Sequence, residues 1–98
     1  MTIRTMVEFE AADASAFEGA LLALWWDGHG DWERAHGVAQ EVEAKDGAWV
    51  HAYLHRKEGD AVNAGYWYRR AGRPVERGDL RAEWERMVEE LMERPRVG

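Results

Sequence analysis

Three of the four histidines, His36, His51 and His55, fall where they could meet. His51 and His55 lie four residues apart on a predicted helix over 48–57, which puts both imidazoles on one face. Glu58, three residues further on, extends that face. His36 and Glu33 belong to the neighbouring predicted helix, over 32–45. Two imidazoles with a carboxylate, or three imidazoles, suit a divalent metal ion. The pair lacks the His-Glu-x-x-His form: Ala52, Tyr53 and Leu54 separate the imidazoles and supply no general-base glutamate. The competing reading needs no cofactor and makes His51 and His55 half-buried core residues, hydrogen-bonded to an Asp, Asn63 or a Tyr. With the inter-helix turn centred on Gly47, His36 or Glu33 is expected nearer to His55 than to His51, at the outer end of the pair.

The second candidate is Tyr66-Trp67-Tyr68-Arg69-Arg70, followed by Arg73. Successive helical residues point about 100° apart, so three aromatics in a row cover more than half of a helix. Tyr68 is expected to face inward. Tyr66, Trp67, Arg69, Arg70 and Arg73 then form an aromatic–arginine surface suited to a protein partner or to a second copy of the chain. Asp27-Gly-His-Gly-Asp31 faintly resembles a calcium loop, but Val38 stands at the twelfth position, and a glycine-rich turn ending in a helix cap accounts for it. There is no cysteine, which excludes disulfides, thiolate metal sites and a thiol nucleophile. Ser15 is the only serine and reads as a helix cap, and no phosphate-binding glycine motif occurs.

Helices must position these groups. Residues 1–12 alternate weakly, with Ile3, Val7 and Phe9 apolar, and read as an extended arm. Ser15-Ala-Phe-Glu18 has the form of a capping box. The helix behind it, about 16–26, is apolar nearly all round through Leu21, Leu22, Leu24, Trp25 and Trp26, and is expected to be the most buried. Gly28 and Gly30 end it and Asp31 caps the next. Gly47 is expected in the left-handed conformation between helices. Gly59-Asp60 repeats the stop-and-start chemistry before a helix over 61–71, which Gly72 and Pro74 close. Asp79 caps a last helix, 79–94, with Leu80, Trp84, Met87, Val88 and Leu91 at amphipathic spacing before Pro95. The expectation is one all-α domain: arm 1–14, helical hairpins 15–46 and 48–72 stacked antiparallel, and a C-terminal capping helix.

A shift of 29 residues superposes Ala23 on Ala52, Gly30-Asp31 on Gly59-Asp60 and Ala35 on Ala64. Both copies read Gly-Asp-x-x-x-Ala. With Trp49, Ala52, Ala64, Tyr68, Ala71 and Pro74, the second copy resembles a tetratricopeptide-type hairpin, although the period is 29 and not about 34. That resemblance implies a scaffold and no chemistry of its own. The block Trp49-Val-His-Ala-Tyr-Leu-His-Arg-Lys-Glu-Gly-Asp60, with Asn63-Ala-Gly-Tyr-Trp-Tyr-Arg-Arg-Ala71, also resembles a family of small uncharacterised proteins built around it. A bacterial family with a Glu-Ala-His helix followed by a Tyr-x-x-x-His helix is loosely similar, with Glu33-Arg-Ala-His36 as the counterpart. Neither resemblance implies an activity.

Ninety-eight residues suffice for one core. The net charge of −6 argues against nucleic acid. Residues 1–50 hold ten acids and three bases, and residues 51–98 nine acids and ten bases, so Arg69, Arg70, Arg73, Arg77 and Arg81 balance an acidic first half within the molecule or across a dimer. The longest apolar run, Ala20 to Trp26, is too short to span a bilayer, and the first ten residues have no signal-peptide core. A cytoplasmic, non-enzymatic module that binds a protein partner or forms a homo-oligomer is therefore expected first. A small metal-binding protein or metal-dependent enzyme using the histidines is the alternative.

Overall fold

The computed structural model describes residues 5–93, and Ile3, Arg94 and Pro95 lie outside the described residues. The chain is all-α: α1 (Met6–Ala11), α2 (Gly19–Gly28), α3 (Trp32–Glu41), α4 (Lys45–Lys57), α5 (Ala61–Ala71) and α6 (Leu80–Glu93). A 3-10 turn covers Ala14–Ala16, and there is no strand among the described residues.

The two Gly-Asp turns match bond for bond. Gly30 and Gly59 take φ of 84° and 91°, a region open to glycine at little cost. The Asp31 amide donates to the Trp26 carbonyl and the Asp60 amide to the His55 carbonyl, both at 2.9 Å. Each carboxylate then accepts the amide three residues on, Arg34 for Asp31 and Asn63 for Asp60, both at 3.1 Å. Ala35 and Ala64 are buried beside these turns, where a larger side chain would push the paired helices apart.

α2 packs on α3 and α4 on α5; α3 lies against α4, and α6 crosses α2 and α4. The most buried helix is α4, not α2. Every residue from Gly47 to Leu54 is buried, whereas α2 buries Ala20, Ala23, Leu24 and Asp27 and leaves Leu21, Leu22, Trp25 and Trp26 half-buried. α6 closes the core. The Trp84 indole donates to the Leu24 carbonyl at 3.0 Å, and its ring fills the space over Gly28, where a Cβ would stand 2.6 Å from Trp84 Cζ2.

Three local expectations are corrected. The described part of the N-terminal arm is helical and not extended. The Thr5 hydroxyl caps α1 by accepting the Glu8 amide at 3.1 Å, and Phe9 is wholly buried, its ring 4.7 Å from that of Phe17 and 5.7 Å from that of Trp84. Burying one phenyl ring outweighs a weak alternation. Ser15 caps nothing: the Asp13 carboxylate takes the Ser15 amide at 2.9 Å, and α2 begins at Gly19 behind Glu18, which makes no side-chain cap. Gly47 is not left-handed; it sits in the first turn of α4, where a Cβ would meet the Val42 carbonyl oxygen at 2.2 Å. Its role is close approach, and the link between α3 and α4 is Val42–Ala44. Gly72, with φ of 70°, and the Asp79 carboxylate, 2.9 Å from the Ala82 amide, end α5 and start α6 as expected.

Among the described residues, two side-chain carboxylates are buried. Asp27 accepts the Tyr53 hydroxyl at 3.1 Å and Lys57 Nζ at 3.0 Å, and burial together with Asp27 pushes the Tyr53 phenol well up from its ordinary range. Glu83 accepts Arg56 Nη1 at 2.8 Å and the Tyr68 hydroxyl. The arginine cluster is partly used within the molecule, since Arg73 pairs with Glu90 and Arg81 with Glu10 and Glu85. No helix among the described residues is long and apolar enough to cross a membrane.

Candidate metal centre

α3 delivers His36, and successive turns of α4 deliver His51 and His55. One ring nitrogen from each lies within 4.8 Å of those of the other two. His36 Nε2 and His51 Nε2 are 2.8 Å apart, so one donates to the other. The His51 and His55 rings stack with centroids 4.8 Å apart, and His36 meets both edge-on, at 4.5 Å from His51 and 5.3 Å from His55. His36 is thus nearer to His51, the reverse of expectation. The link centres on Glu43, so His36, seven residues before it, comes level with His51, eight after it.

Indoles wall the cluster. Trp32, one turn before His36, stacks on its ring at 4.9 Å and is fixed by donating Nε1–H to the Leu54 carbonyl at 2.9 Å. Trp67 of α5 stacks on the other partner, His51, at 4.0 Å. His55 Nδ1 lies 2.6 Å from Glu58 Oε1. A carboxylate there holds the proton on Nδ1 and leaves the Nε2 lone pair free, the usual outer partner of a metal-binding imidazole. Glu33 is exposed in the first turn of α3 and is not in the cluster. Asp60 groups with His55 and Glu58, but its carboxylate is committed to Asn63, whose side chain and backbone amides hold it below the ordinary range.

Burial pulls the His51 imidazole down to about 4, with His36 and His55 adding to the shift. His36 is lowered by burial and by His55, against the pull of Glu58. Both are therefore neutral at neutral pH, the form that binds a metal.

A cleft of about 250 Å³ opens beside the cluster, with His51 and Trp67 on its inner side and Gln40, Glu43, Lys45 and Arg70 around it. The residues expected to face a partner are divided by the fold. Trp67 belongs to the cluster. Arg73 lies over the Trp49 ring at 3.7 Å, while Tyr66, Arg69 and Arg70 are exposed, with Arg70 Nη1 donating to the Tyr66 hydroxyl at 3.0 Å. Asp27, His29 and Asp31 do not converge on an ion: Asp27 is buried on Tyr53 and Lys57, His29 stacks on Trp25 at 3.7 Å, and Asp31 caps α3. Sequence reasoning passed over Trp32 and Gln40, although their i−4 and i+4 spacing from His36 places all three on one face of α3. No protein-family model, curated protein or solved structure matches the chain.

Proposed function

We propose that this chain binds a divalent first-row metal ion through His36, His51 and His55. The carrying observation is the convergence of three imidazoles from two helices, with Glu58 behind one of them. Nitrogens around a tetrahedral zinc stand about 3.3 Å apart, so the His36–His51 contact opens by about half an ångström when an ion replaces the shared proton. Three protein ligands leave a further position for water or a small ligand. Calorimetric titration of metal-free protein with zinc and cobalt is expected to give one ion per chain, lost in His51→Leu and His55→Ala. A dissociation constant no tighter than about 1 mM for both ions overturns the reading.

A second reading, a self-associating helical module, draws support from α5. Val62 and Tyr66, one turn apart, are 86 % and 44 % exposed, beside Arg69 and Arg70. The matched turns favour the same scaffold reading, similar to a tetratricopeptide hairpin. Light scattering is expected to report a dimer that Val62→Asp dissociates; a monomer at high concentration excludes self-association.

A further inference from the structure

The cleft beside the cluster has a chemistry of its own. His51 forms part of its wall, so a ligand lodged there abuts the imidazole that reaches His36. Ala39, Val42 and Ala48 give it a small apolar lining. Lys45 and Arg70 bring two cations to it, and Glu43 one carboxylate, so the surround has an excess of positive charge before any metal is counted. Arg70 is not a loose surface arginine: the Tyr66 hydroxyl accepts from it, and its guanidinium lies 5.3 Å from the Trp67 ring centre. That leaves the rest of a planar donor fork to meet a carboxylate. The volume, about 250 Å³, falls below the roughly 300 Å³ where drug-sized sites begin.

We infer that this cleft binds a small aliphatic carboxylate, its acid group against Arg70 and Lys45 and its short apolar body against Trp67 and the alanines, beside the His51 imidazole. The inference rests on the metal reading above. Charge selects an anion. The apolar lining selects a carbon-bearing acid over inorganic phosphate, which would strand Ala39, Val42 and Ala48 against a fully hydrated ion.

The test uses cobalt(II)-loaded full chain, whose visible absorption reports changes around the ion. Acetate, propionate and butyrate are titrated in turn, with phosphate as the inorganic arm. Affinity is expected to rise from acetate to butyrate, with a change in the cobalt bands. Arg70→Gln is expected to weaken butyrate about tenfold, with cobalt titrated into the same variant so that any loss of the ion is counted separately. Cobalt bound with no carboxylate effect, phosphate bound more tightly than butyrate, or butyrate affinity unchanged in Arg70→Gln each overturns the inference and leaves the metal reading standing. Failure to bind cobalt or zinc overturns both.

Discussion

Replacing Glu83 with alanine lowers the free energy of unfolding by about 3–5 kcal/mol, the usual range for breaking a buried ion pair from one side. Glu83 is 3 % exposed and holds two donors, Arg56 and the Tyr68 hydroxyl, at the junction of α4, α5 and α6. Burial raises its carboxyl above the ordinary range, against the pull of both partners. Removing it leaves a largely buried guanidinium and a buried hydroxyl facing an apolar space. Glu83→Gln keeps one of the two acceptor oxygens, loses the charge and turns the other oxygen into an NH2 donor, so it costs less than alanine but is not neutral. The triple change Glu83→Leu, Arg56→Met, Tyr68→Phe removes every polar partner together and recovers much of the loss. Urea unfolding measures all three. A cost under about 1 kcal/mol for Glu83→Ala would place this carboxylate outside the stabilising network.

Glu83 also marks where reading the sequence stopped short. The stripe Leu80, Trp84, Met87, Val88 and Leu91 identified the inner face of α6, and Glu83 shares that face by spacing, three residues after Leu80 and four before Met87. An acid at a core position needs a donor, and the donors came from α4 and α5, which local patterning does not relate to α6. The same applies to Asp27 with Tyr53 and Lys57. What local chemistry controls was legible: five helices, the paired turns, and the caps Asp31, Asp60 and Asp79. The helix α1 was not, because six residues with one buried anchor, Phe9, show no period. The imidazole cluster was legible as a set of residues and misplaced by one helical turn. That error came from assigning Gly47 to the link instead of to α4, an assignment that hung on whether the glycine served a left-handed φ or a close contact with Val42.

In metal-free protein, stability falls as the pH drops from about 6.5 toward 4, and His51 carries much of the loss. Its imidazole has the ordinary value of 6.5 when unfolded and about 4 when folded. Above 6.5 neither state is protonated and the folded chain keeps its full stability. Between the two values the unfolded chain takes up a proton that the folded chain refuses, so unfolding becomes easier. Below about 4 both are protonated and the loss stops growing. The total is on the order of 3 kcal/mol. His36 is shifted in the same direction. The charged and titratable surroundings are His36 from α3, His55 from α4, Glu58 just after it, Lys45 at the start of α4, Glu43 in the link and Arg70 from α5. Glu83 works the other way, since its raised carboxyl binds a proton more readily in the folded state. The difference between wild type and His51→Leu, each unfolded by urea at several pH values in the presence of a chelator, therefore isolates the imidazole. Leucine is the residue that the 29-residue shift places there, at Leu22. Parallel curves for the two proteins would show that His51 is protonated in the folded state as readily as out of it.

The bond from Trp84 to Leu24 spans 60 residues, while each hairpin closes on a neighbour in sequence. Contacts close in the chain form early and at little entropic cost, and distant ones form late. In a refolding chain, α2–α3 and α4–α5 can pair before α6 docks on them. Until it arrives, Phe9, Leu24 and the groove over Gly28 lack the indole that covers them. A chain in which both hairpins have paired and α6 has not docked exposes an open aromatic seat, and the speed of that docking sets how long the sticky surface faces other chains.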